Sequence, residues 1–154
     1  MNSMAQFDIK IEGLDKLEKA FARSPRETAT EIAKGIKTSI NIIRPMMKRN
    51  APFASGKLRQ NIYARYTQGE GVVGPDLNVT PYAIFVHEGT RAHIIRPKTK
   101  KALYWKGAKH PVKMVRHPGT KANPFVDKTY DESGPIVVKI FKNTIDNIVK
   151  NLAS

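Results

Sequence analysis

Four histidines, His87, His93, His110 and His117, are the side chains best placed to exchange a proton near neutral pH, and Glu88 directly follows the first. With His87 or His117 as general base, Glu88 as its partner and nearby lysines on a phosphate, the chain would read as a small nuclease. The spacing supports no metal. His87-Glu88 lacks the second histidine four residues on that a zinc-protease helix needs, and His93, His110 and His117 lie among positive charges that oppose a bound cation. Paired acids able to hold magnesium are missing from the middle of the chain. The absence of cysteine removes thiolate metal sites, disulfide frameworks and a cysteine nucleophile together. Gly69, Gly71 and Gly74 have neither the preceding buried strand nor the following helix of a phosphate-cradling loop, so they read as hairpin punctuation. The expectation is no catalytic residue, no cofactor and no metal, with the histidines in solvated loops.

Charge is the feature that stands out. Lys and Arg number 27 against 13 Asp and Glu, giving +14 and a pI near 10.1. Such a balance speaks of partners rather than fold. It is also lopsided: no acid falls between Glu88 and Asp127, while Arg91, Arg96, Lys98, Lys100, Lys101, Lys106, Lys109, Lys113, Arg116 and Lys121 do. Lysines on an edge strand discourage sheet-to-sheet aggregation. Ten cations without one acid exceed that need, which points to a partner surface. Tyr104 and Trp105 in the same stretch could stack on bases or bury into a protein.

At 154 residues the chain is the size of one domain. The longest apolar run, residues 82–86, is far shorter than the ~18 residues of a membrane span, and charges interrupt every N-terminal apolar stretch, so no secretory signal is expected. Ser24-Pro25-Arg26-Glu27 reads as a capped helix start. Ala29, Ile32, Ala33, Ile36, Ile40, Ile43 and Met47 follow on one stripe, with an end near Arg44 or a kink at Pro45 expected. A short strand over residues 7–11 and a short helix over 13–21 precede it. Asn123-Pro124 starts a second helix, Gly134-Pro135 is expected to break or kink it, and residues 136–152 carry the clearest helical period. Between lie short strands: 62–67 and 72–74 as a hairpin around Gly69-Glu70-Gly71, then 92–96, 102–105 and 112–115. Residues 81–89 read as a short helix with Gly89 as a left-handed cap. The class is α+β: one short-stranded antiparallel sheet against two long amphipathic helices, in a single domain spanning 1–154, with a basic loop or hairpin insertion at about 91–121.

The order of motifs resembles a known family. Ala51-Pro52 with Ser55-Gly56-Lys57-Leu58-Arg59 and Ile62, then Tyr82 with Val86-His87-Glu88-Gly89-Thr90, then Pro124-Phe125, is similar to the tail-completion or head–tail joining proteins of long-tailed phages and prophages, the family typified by gene product ten of phage HK-97. The resemblance implies a non-enzymatic virion protein of the neck. It would assemble as a ring of its own copies, a hexamer, between the head connector or adaptor and the tail tube or tail terminator. Phage DNA in the lumen is a further partner, no membrane is involved, and the protein would pass from host cytoplasm into the virion. As plain loop geometry, Pro52 ends the long helix, Gly56 turns the chain and Leu58 plugs the core; Arg59 is not required by that geometry and is a docking candidate, while Glu88, the acid before Gly89-Thr90, is either a ring-interface acid or a solvated one. The insertion has no counterpart in the family pattern and is placed at a ring surface or lumen. The alternative classes are a basic nucleic-acid-binding module and a small nuclease.

Overall fold

The computed structural model describes residues 25–153 apart from residue 68; the expected strand over 7–11, the helix over 13–21 and the Ser24 cap lie outside the described residues. Helix α1 (Pro25–Asn50) is followed by the single turn α2 (Lys57–Gln60), the hairpin β1 (Ile62–Thr67) and β2 (Glu70–Pro75), and the short helix α3 (Ala83–Glu88). Strands β3 (His93–Ile95) and β4 (Val115–His117) and the long helix α4 (Phe125–Ala153) complete the chain. Helix α1 packs against both α4 and the β1–β2 hairpin. This is the expected α+β architecture, with long helices at both ends.

The expected end of the first helix near Arg44 and the expected break of the second at Gly134-Pro135 are corrected: both α1 and α4 continue past their internal prolines, Pro45 and Pro135. A helical proline frees the carbonyl four residues earlier. Here those residues are Asn41 and Asp131, both exposed, so water can satisfy the freed groups. The single sheet is also corrected: β1–β2 and β3–β4 are separate two-stranded antiparallel sheets. Strand β2 starts at Glu70, so Gly71 belongs to the ladder opposite Tyr66 rather than to the turn. A Cβ there would lie 2.6 Å from Ile40 Cγ2 and 2.7 Å from Ile36 Cγ2, so the bare glycine lets β2 sit directly on α1.

The hydrophobic core is small and gathers at the C-terminal end of α1. Met47, Ala51, Leu58, Ile62, Ala83 and Phe125 form it, flanked by Val73, Val86 and Val126. Leu58 plugs this core as expected, and Gly56 turns the chain into α2 with φ +79°. Nearer the other end of α1, the helix pair meets through small polar residues. Gly35 abuts Thr144 so closely that a Cβ would sit 2.9 Å from its Oγ1. The buried Ser39 and Thr144 hydroxyls donate to carbonyls one turn back, Gly35 and Ile140, both at 2.9 Å. The apolar stripe read from the sequence is thus displaced: Ala29 is exposed, while Thr28, Gly35 and Ser39 are buried.

Polar ties stitch α1 to its neighbours. Arg44 Nε donates to the Ile62 carbonyl at 3.0 Å, and Asn50 Nδ2 donates to Thr129 Oγ1 and Glu132 Oε2. The Asn50 amide, with Arg49 at 2.8 Å, holds the Glu132 carboxyl below its ordinary value of 4.5. Because folding favours the ionised form, this tie is fully present above the ordinary value and is lost as pH falls through the lower folded one. Glu132→Gln is therefore expected to flatten the acid limb of stability against pH, measured as urea midpoints from about pH 6 down to about pH 3. An acid limb as steep as the parent's would show that the carboxylate contributes nothing there.

Candidate functional site

The basic segment forms a ribbon whose base is fixed by backbone geometry. Thr90 and Thr120 exchange backbone hydrogen bonds at 2.9 and 3.0 Å, and Asn123 N–H donates to the Val86 carbonyl at 3.0 Å. Gly89 has φ +75° with ψ 179°. The positive φ agrees with the expected glycine cap, but the backbone is extended rather than left-handed helical, a region reserved for glycine. A Cβ at Gly89 would meet the Thr120 carbonyl oxygen at 2.6 Å, and one at Gly119 (φ +93°) the Thr90 carbonyl oxygen at 2.3 Å. Two glycines, 30 residues apart, thus allow the two legs of the ribbon to approach closely at its foot. Gly119→Ala is expected to cost about 1–3 kcal/mol. The cost should appear as faster amide hydrogen exchange at Thr90 and Thr120, with exchange in the α1–α4 pair unchanged; unaltered exchange at both threonines would refute this account of the base.

Above the base, His93, Ile94 and Ile95 pair with His117, Arg116 and Val115. Strand periodicity puts Ile94 and Arg116 on one face and the two histidines on the other. The imidazoles lie 5.1 Å apart. His93 Nδ1 donates to the Arg91 carbonyl at 2.8 Å, while His117 Nδ1 accepts from the Gly119 N–H at 3.0 Å. Further out the expected strands over 102–105 and 112–115 reduce to one reciprocal bridge between Leu103 and Val112. Pro111, which has no N–H to donate, and a turn closed by Ala108 N–H on the Trp105 carbonyl end the ladder there. Gly107, at the third position of that turn, supplies a φ of +99°.

The ribbon brings most of the predicted cations together on one projection. Arg96 follows β3; Lys98, Lys100 and Lys101 line the next bends; Lys106 and Lys109 flank the Gly107 turn; Lys113 precedes β4 and Arg116 lies within it. All eight are exposed. Among the described residues the lysine and arginine ion pairs are Lys34–Glu31 and Arg49–Glu132, so no ribbon cation is neutralised. Tyr104 and Trp105 are 69% and 50% exposed.

Arg59 is placed elsewhere, with an intramolecular task. Its Nε donates to the Ala51 carbonyl at 2.8 Å and Nη2 to the Arg49 carbonyl at 3.4 Å, with the guanidinium 5.4 Å from the Phe53 ring centroid. It closes the C-terminal end of α1, where carbonyls lack helical partners. Glu88 ends α3 at the foot of the ribbon, exposed and in none of the ion pairs among the described residues.

Asp127, rather than Glu88, faces His87: its Oδ2 is 3.5 Å from Nε2, while Phe125 meets the imidazole edge-on at 5.7 Å and Nδ1 is buried without a hydrogen bond. Nothing in residue spacing announces this pair, because it arises only where α3 packs against the start of α4. The two histidines of the nuclease reading sit on different elements, His87 on α3 and His117 on β4. Among the described residues no group of three or more His, Asp or Glu could hold a metal, and no helix is long and apolar enough to cross a membrane. Compared with protein-family models, curated proteins and solved structures, the chain matches none.

Proposed function

We propose that this chain is a structural virion protein of a long-tailed phage or prophage that completes the tail and joins it to the head connector. It acts by docking rather than catalysis, as a six-fold ring of its own copies that meets the connector on one side and the tail tube or tail terminator on the other. One observation carries the reading. Among the described residues eight hydrophobic side chains are buried, while sixteen large ones are exposed, including Leu77, Val79, Tyr82, Ile84 and Phe85 within nine consecutive positions. A monomer rarely leaves so many large apolar side chains to water within one short stretch, and a neighbouring subunit would cover them. Ring subunits make heterologous contacts, one patch meeting a different patch on the next copy, and residues 77–85 supply one such patch. The motif order from Ala51 to Phe125 supports the same reading.

Cryo-electron microscopy of intact particles, focused on the joint, is expected to show a ring whose repeating density accommodates the α1–α4 pair and the ribbon. Density fully accounted for by other chains would overturn the proposal.

A further inference from the structure

We infer that the ribbon of residues 90–120 is a sequence-independent clamp for the phosphate backbone of duplex DNA. Its placement at a head–tail joint rests on the reading above, whereas its binding is a property of the purified chain. The charge is one-signed and unpaired: among the described residues none of the ribbon's cations is held by a carboxylate. Seven of the ten cations between Glu88 and Asp127 are lysines. Lysine is depleted from protein–protein interfaces because its ammonium is strongly hydrated and its stem flexible, but it serves as a point charge for phosphate. An acidic protein partner would be met better by arginines, with carboxylates to fix the register.

The shape selects duplex over single strand. A two-stranded antiparallel ribbon fits the major groove, and β3–β4 is such a ribbon, standing on a base that Gly89 and Gly119 fix. Unpaired bases need successive stacking platforms. Here the two exposed aromatics, Tyr104 and Trp105, are adjacent in the chain and do not form a track. The lysines instead occupy two bends of the chain, 98–101 and 106–109, as exposed point charges for phosphate.

Trp105 is the sole tryptophan, which makes its fluorescence a direct reporter of the ribbon. Titration of the full chain with short AT-rich and GC-rich duplexes is expected to quench it with equal affinity and a steep salt dependence. Replacing Lys98, Lys100 and Lys101 with alanine should lower the slope of log affinity against log salt by about three, and weaken binding on the order of a hundredfold near 0.15 M salt. Lys142→Ala, exposed on α4, should change neither. The inference is overturned if the triple variant keeps the parental slope, if single strands bind more tightly than duplex, or if poly-glutamate competes with duplex on equal terms, which would assign the ribbon to an acidic protein. If duplex binds as expected while the particle shows the protein elsewhere than the joint, the joint reading alone fails.

Discussion

If the proposed function holds, exchanging Lys98, Lys100 and Lys101 together for glutamate is expected to abolish head–tail joining while leaving the chain folded. Each exchange reverses one charge, so the formal net charge falls from +14 to +8, and all six units leave one exposed bend of the ribbon. The three side chains are exposed and take part in no ion pair among the described residues. Folding therefore loses little, and the unfolding free energy should stay within about 0.5 kcal/mol of the parent. Attraction to phosphate is lost at three points and replaced by repulsion, so duplex affinity should fall by at least the hundredfold of the alanine variant. Complementation of a phage lacking the gene, alongside thermal unfolding of the purified variant, separates the two effects. Lost joining with a parental melting curve is the expected pair of results. A large loss of thermal stability would show these lysines to be structural instead.

Phe125→Ala is expected to have the largest effect on folding. Phe125 is fully buried at the junction of α1, β1, α3 and α4, and it backs the His87 ring. Emptying such a site costs about 3–5 kcal/mol, a large part of the roughly 5–15 kcal/mol that holds an ordinary domain. Among the described residues this core cluster has six buried members, so its neighbours have little with which to refill the space. Urea unfolding followed by far-ultraviolet circular dichroism should show the midpoint collapse, with most of it restored in Phe125→Leu. A loss below about 1 kcal/mol would place the centre of stability elsewhere, in the α1–α4 interface.

What the residues disclosed and what they concealed divide along physical lines. Helical periodicity and the glycines of the first hairpin are local signals, so α1, the second half of α4 and β1–β2 were legible. The passage of both helices through proline was not, because its cost depends on whether the carbonyls of Asn41 and Asp131 are buried or wet, a tertiary fact. The ribbon cations were legible because charge survives any packing. The Arg59 clamp was hidden because its partners are main-chain carbonyls at the end of α1. Exposure of Ile84 and Phe85, at 45% and 60%, runs against residue type. Among the described residues few elements cover α3, and the exposure left there is what supports the proposed assembly.

The most direct test is electron microscopy of a lysate from the phage or induced prophage lacking only this gene. Filled heads lying apart from otherwise complete tails is the predicted result. Intact, infectious particles would contradict the account.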